Sequence, residues 1–175
     1  MKLAEEKKVV LVASSLNLAT DATQVTKGIN MARYHKCTFL IDVGTMSGSN
    51  STLKAYSGAT DIALTSAIAF KYAYGGSSSI WLNGAVSVPA TPAVTADVLA
   101  AETTVTAATG LVILQATYPN YMLIVEVDAS MMDVANGENW LSLEFTDASS
   151  SAGLVTVFAI LEPRYTSNLS ATALA

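Results

Sequence analysis

An all-β fold, a β-sandwich or jelly roll of about eight strands, follows from three observations on this 175-residue sequence. Apolar residues recur at every second position in one run after another, the side-chain repeat of a strand with one buried face. Clusters of Gly, Asn, Ser, Asp and Pro separate the runs at short spacing. The helical segments amount to a turn or two, the best of them near residues 129–135.

In chain order, Lys8–Ala13 is a weak strand, Asn17–Gly28 a polar, Thr-rich extended connection or arm, and Ile29–Met31 a second short strand. The clearest alternation follows, with Cys37, Phe39, Ile41 and Val43 on one side and Thr38 and Asp42 on the other. Thr52–Tyr56 is weaker. Ile68, Phe70 and Tyr72 then alternate with Ala69 and Lys71. Asn83-Gly84, flanked by Ile80–Leu82 and Ala85–Val88, carries the residues of a tight hairpin turn. Ser87–Ala101 reads as a loop with an extended piece, Asp97–Glu102 as a minor helical candidate, and Thr103–Ala107 and Leu111–Ala116 as further weak strands.

The C-terminal third is the most regular. Tyr121, Leu123, Val125 and Val127 alternate with Met122, Ile124, Glu126 and Asp128. Asp128 is placed to cap a short helix over Ala129–Ala135, with Met131, Met132 and Val134 facing inward and Gly137 ending it. Leu141, Leu143 and Phe145 alternate with Ser142, Glu144 and Thr146. Val155, Val157, Ala159 and Leu161 share one face, while Phe158 and Ile160 make the opposite face apolar too. A strand apolar on both faces is central, or lies where a neighbouring subunit covers it. The division expected is an N-terminal strand and arm over 1–28, a sandwich domain over 29–165 and a tail over 166–175. Arm and tail, having little to bury, are the segments expected to bind neighbours.

Composition narrows the function. The chain is 51% hydrophobic and only 13% charged, about half the charged fraction of an ordinary soluble domain. So few charges fit a subunit of an assembly, whose contacts remove surface from water. No apolar run approaches the ~20 residues of a membrane-spanning helix, so no membrane partner is expected. A net charge of −5 with scattered cations argues against nucleic acid as a partner. The single cysteine, Cys37, allows no intrachain disulfide. The opening residues lack a secretory apolar stretch, so synthesis in a reducing cytoplasm is the expectation.

Groups able to do chemistry are sparse. His35 and Cys37 stand two positions apart, about 6–7 Å along a strand, which is loose for an activating hydrogen bond. A small buried thiol with His35 at its exposed mouth is the reading preferred. Glu126, Asp128, Asp133 and Glu138 form a carboxylate cluster in sequence, without the spacing of an ion-binding loop. Gly75-Gly76 before Ser77–Ser79 lacks the Gly-Lys-Ser/Thr ending of a phosphate loop. Ser14-Ser15 and Ser149–Ser151 have no histidine near in sequence. Trp81 and Trp140, with Tyr34, Tyr56, Tyr72, Tyr74, Tyr118, Tyr121 and Tyr165, are candidates for a carbohydrate-stacking surface, although core or interface packing suits most of them better. No catalytic, cofactor-binding or metal-binding residue is assigned, and no cofactor is expected.

Four segments, in order, carry a resemblance to a known family: Ile29–Gly44 (INMARYHKCTFLIDVG), Thr52–Tyr74 with LKAYSGAT and FKYAY, Tyr121–Leu143 (YMLIVEVDASMMDVANGENWLSL) and Val155–Tyr165 (VTVFAILEPRY). Together they resemble the small virion proteins of tailed phages encoded near the major capsid protein, the head decoration or cement proteins. Ser77–Gly110 and the tails fall outside the resemblance. It implies a β-sandwich subunit, a trimer, bound to the major capsid protein on the outside of the head after synthesis in the host cytoplasm. It implies a mechanical, non-enzymatic role: stabilising the shell against the pressure of packed DNA. The alternatives carried forward are another virion subunit (tail tube, collar or minor capsid) and a glycan-binding sandwich.

Overall fold

The computed structural model describes residues 6–18, 23–44, 46–48, 50–61, 63–75, 101–114, 121–147, 153–165, 169 and 172–174. Within them the chain forms twelve strands: β1 (Lys8–Asn17), β2 (Gln24–Val25), β3 (Ile29–Asn30), β4 (Tyr34–Val43), β5 (Ser51–Gly58), β6 (Ser66–Ile68), β7 (Phe70–Gly75), β8 (Thr103–Val105), β9 (Leu111–Ile113), β10 (Tyr121–Asp128), β11 (Trp140–Asp147) and β12 (Leu154–Pro163). Seven have six residues or more, and five are fragments of two or three. All the pairings are antiparallel. One sheet has the order β1-β12-β4-β10-β7-β8. The other is built on the pair β11-β5, with β2 and β3 along the outer side of β11 and β6 and β9 along the outer side of β5. The fold is the all-β sandwich that the alternation predicts.

The alternating residues meet between the sheets. Cys37, Phe39, Ile41 and Val43 of β4, Leu123, Val125 and Val127 of β10, and Val155, Val157, Ala159 and Leu161 of β12 are fully buried. Leu53 and Ala55 of β5 and Leu141, Leu143 and Phe145 of β11 are equally buried. Burial of each large side chain stabilises the fold by about 1.5–3 kcal/mol relative to exposure, so the core rests on the period-two pattern.

Two crossings link the sheets along one side. The run Ile68–Phe70–Tyr72 passes from β6 in one sheet to β7 in the other at Ala69, and keeps its alternation. Between β8 and β9 the chain returns through Gly110, whose φ of +67° favours glycine. A Cβ on Gly110 would also lie 2.7 Å from the Leu53 carbonyl oxygen. At the opposite side the Lys27 N–H donates to the Val12 carbonyl (3.0 Å), tying β1 to the segment after β2.

Several expectations are corrected. Of the segment Asn17–Gly28, residues 19–22 lie outside the described residues; Asn17 ends β1, and Gln24–Val25 pairs with β11. Buried Thr26 holds it there, its backbone N–H donating to the Leu143 carbonyl and its Oγ1 accepting from the Leu143 N–H, both at 3.0 Å. The end of the tail docks on its own chain, since Asn30 N–H donates to Ala173 O (2.8 Å), Leu174 bridges to Ile29 and Ala173 is buried. The segment 129–135 is two single 3-10 turns, Ala129–Met131 and Val134–Asn136, because Met132 between them is extended (φ −86°, ψ 152°). Asp128 caps the first turn and Gly137 ends the second in a left-handed conformation, as anticipated. Of the three apolar residues there, Met132 is buried, whereas Met131 and Val134 face solvent. The Asn83-Gly84 hairpin, the Ser87–Ala101 loop up to residue 100, and residues 115–116 of the strand expected over Leu111–Ala116 lie outside the described residues.

Candidate functional site

The outer face of the sheet β1-β12-β4-β10-β7-β8 carries the most distinctive surface. Strand register places Leu11, Phe158, Leu40, Ile124 and Ala73 side by side across β1, β12, β4, β10 and β7. Their neighbours along each strand point into the core, so this row points outward. Val9 and Ile160 stand one row to one side, continued by Thr38, Glu126 and Lys71. Thr156, Asp42 and Met122 stand one row to the other side, with Leu154 beyond. Exposure is concentrated on β1 and β12, where Val9 (48%), Leu11 (47%), Phe158 (39%) and Leu154 (53%) are open to solvent. Single exposed apolar residues are ordinary, but a contiguous row bordered by charge is the form an interaction surface takes.

Ion pairs line the border. Lys7 pairs with Glu162, Lys36 with Glu126, and Lys71 with Glu102 at 2.9 Å. The hydrogen bond from Lys7 holds the Glu162 carboxyl below its ordinary range, and bonds from Ser130 do the same for Asp128. Asp42 differs. Its Oδ1 is buried with no hydrogen-bond partner among the described residues, and loss of hydration raises its pKa.

The structure separates the groups considered for chemistry. His35 is exposed and Cys37 fully buried. A register shift between Glu162 and Pro163 sets Tyr34 opposite Pro163 and Lys36 opposite Glu162, leaving His35 as an extra residue in β4. That bulge reverses the phase of the alternation, so Tyr34 and Cys37 both point inward and His35 points out. The rule that residues i and i+2 share a face fails at this step. Burial also pushes the Cys37 thiol well above its ordinary value, away from the reactive thiolate.

The four carboxylates disperse as well. Glu126 pairs with Lys36 on the outer face, Asp128 accepts from the Ser130 N–H (2.8 Å), and Asp133 accepts from Asn136 Nδ2 (2.7 Å). Glu138 is buried against the other sheet, accepting from the hydroxyls of Ser57 (2.6 Å) and Ser66 (3.1 Å). Among the described residues no group of three or more His, Cys, Asp or Glu is arranged to hold a metal, and no helix is long and apolar enough to cross a membrane.

The aromatics of the described residues are spread over both sheets. Tyr34 is buried, Tyr72 and Tyr74 pack against the core from β7, and Tyr165 is exposed past the end of β12. Tyr56 and Trp140 belong to the other sheet. Trp81, Tyr118, Ser149–Ser151 and the serines after Gly75-Gly76 lie outside the described residues, as does the side chain of Tyr121. Ser15 is bonded within the fold, its backbone N–H donating to Thr156 Oγ1 (3.4 Å).

Val9, Leu11, Leu40 and Ile124 are the surface residues that sequence reasoning passed over. The signal was present in Phe158 and Ile160, the apolar second face of β12. Finding their companions requires the pairing register, which alternation within one strand does not contain.

No family model matches the chain, and no curated protein matches it. Among solved structures it is similar to the crystal structure of the SPBc2 prophage-derived protein YomS, at 12% sequence identity and a TM-score of 0.42, over 89% of this chain and 92% of that one. A likeness of that depth establishes neither a common fold nor a common role.

Proposed function

We propose that this chain is a non-enzymatic structural subunit that works by association, and that it serves as a decoration protein on the outside of a tailed-phage head. The single observation carrying the association reading is the apolar row Leu11–Phe158–Leu40–Ile124–Ala73, open on β1 and β12 and bordered by ion pairs. Water in contact with such a surface is released on binding, and the flanking polar groups form the rim of a conventional interface. The low charge of the chain points the same way. The reading as structural rather than catalytic is supported by where the reactive groups lie. Cys37 is sealed in the core, His35 faces solvent, and the carboxylates serve caps, ion pairs and a buried hydrogen-bond network.

The phage-head assignment rests on the four resembling segments, with the major capsid protein as the partner implied. A sandwich bridging neighbouring capsomers adds contact area that expansion of the shell must break. Repetition over many copies multiplies a modest contact into a large resistance. The direct experiment is co-sedimentation of purified protein with expanded heads lacking it, followed by heating of the decorated and bare heads. Binding with delayed DNA release supports the assignment. Absence of binding, with unchanged release, sinks it; gold-labelled antibody on intact virions then distinguishes a tail or collar location.

A further inference from the structure

We infer that β1 carries a built-in edge guard. Two extra residues in the strand stop any further strand, from another copy of this chain or from a foreign extended segment, from adding to the sheet. Association is thereby left to side-chain faces. The inference goes beyond the association reading and does not depend on which partner those faces take.

An edge strand presents a row of backbone N–H and C=O groups that invites a new neighbour. Most edges of this sandwich are too short to serve as a template. Among the described residues, β2, β3, β6, β8 and β9 have two or three residues each. The exception is β1, which has ten residues and lies at the end of its sheet.

The register with β12 shows where the guard lies. Leu11 stands opposite Phe158 and Ala13 opposite Val157, so Val12 is an extra residue. Leu16 stands opposite Val155, which sets both Ser14 and Ser15 against Thr156. Val12 and Ala13 are both buried, and Ser14 and Ser15 are both exposed. Each extra residue therefore faces the same way as its neighbour. With one residue of each doublet removed, the strand still alternates: Val10, Val12 and Leu16 on the core side, Val9, Leu11 and Ser14 on the other. The doublets thus leave the placing of side chains as a regular strand would have it. What they change is the backbone edge, where each bulge breaks the even ladder and increases the twist.

Backbone conformation points the same way. Ser15 has a φ of +52°, in the left-handed region that favours glycine. It is exposed, so no packing of its side chain accounts for the strain. Beside the first doublet, the Val12 carbonyl already accepts from Lys27 N–H at 3.0 Å, which removes an acceptor that an added strand would use. The regular stretch left before the doublets is Lys8–Leu11, about 13 Å by strand rise and opening on a lysine. Short length and edge lysines are both obstacles to strand addition.

Light scattering on the purified full chain tests this. Deleting Ala13 and Ser15 together gives a strand paired one to one with Leu154–Leu161, Val12 taking the place opposite Val157. That variant should show about twice the wild-type mass or more, rising with concentration, as edges pair. Ser15→Gly keeps both doublets and relieves the backbone, so it should melt higher than wild type at unchanged mass. Deletion of Ser15 alone should also raise the mass, and it decides the matter if the double deletion folds poorly. A folded deletion variant with wild-type mass at every concentration overturns the inference. So does a rise in mass shared by Ser15→Gly, which would trace the effect to strain and not to the edge. Failure of both deletions to fold overturns it too, because the packing of the fold would then demand the extra residues. Each mass is read against wild type in its own oligomeric state, so the result stands apart from binding to phage heads.

Discussion

Ser57 donates its hydroxyl hydrogen to Glu138 Oε2 at 2.6 Å, in a site from which solvent is excluded on both sides of the bond. Ser66 donates to the other carboxylate oxygen at 3.1 Å. One acidic side chain thus fastens the loop before β11 to both β5 and β6. Replacing it orphans the buried Ser57 hydroxyl, which costs about 1–3 kcal/mol when left without a partner, and frees the half-buried Ser66 hydroxyl, which water can still reach. Glu138→Ala should therefore lose about 2 kcal/mol or more in urea denaturation, and Glu138→Gln less, because the amide still accepts from one hydroxyl. Equal stability of Glu138→Ala and wild type would show that the network contributes nothing net.

Asp42 gives a pH signature with a defined sign. Its folded pKa is raised by loss of hydration, so ionisation weakens the fold. That cost is absent below the ordinary aspartate pKa, grows as pH rises to the raised folded value, and is constant above it. Asp42→Asn should be more stable than wild type at pH 7, by less than about 1 kcal/mol given the remaining solvent screening. The advantage should vanish in acid. Melting temperatures of both proteins across this range provide the check.

Asp128 and Glu162 behave oppositely. Hydrogen bonding from Ser130 and from Lys7 lowers their folded pKa values. Their contribution is complete above the ordinary carboxylate pKa and is lost as pH falls through the lowered folded values. Asp128→Asn and Glu162→Gln should each flatten the acid limb of the stability curve. An unchanged limb in both variants would remove these two carboxylates from the account.

Gly58, at the end of the central strand β5, abuts the backbone of Ala63, so that a Cβ there would collide with the Ala63 carbonyl oxygen. Backbone cannot swing aside as a flexible side chain does. Gly58→Ala should cost about 2–3 kcal/mol, in the range of overpacked cores, seen as a lower denaturation midpoint with an unchanged slope.

Cys37 should report on global unfolding. With no exposure in the fold and its thiol pKa raised by burial, it should resist a thiol reagent at pH 8 in native protein and react at once in denaturant. Rapid labelling under native conditions would mean that β4 opens locally.

Much of the core was legible in the alternation itself. Phe39, Ile41, Val125, Leu143 and Val157 were readable as inward residues because a strand with one covered face must repeat at two, and each is fully buried. The strand β2 was not legible. Gln24 and Val25 are too few to show a period, and what holds them is the bonding between Thr26 and Leu143, 117 residues apart.

What the sequence alone determined is the class: antiparallel sheets with Phe39, Leu123, Phe145 and Val157 between them, since the hydrophobic repeat leaves no other way to bury those side chains. Tertiary structure decided the rest. The bulge at His35 parted it from Cys37, the crossing at Ala69 split one apolar run between two sheets, and the carboxylates went to separate partners. The same is true of the candidate surface. Alternation shows that a strand has a covered face and an open one, but register between strands distant in sequence decides which open residues lie together. Leu11, Leu40, Ile124 and Phe158 became a single row only when β1, β12, β4 and β10 were laid side by side.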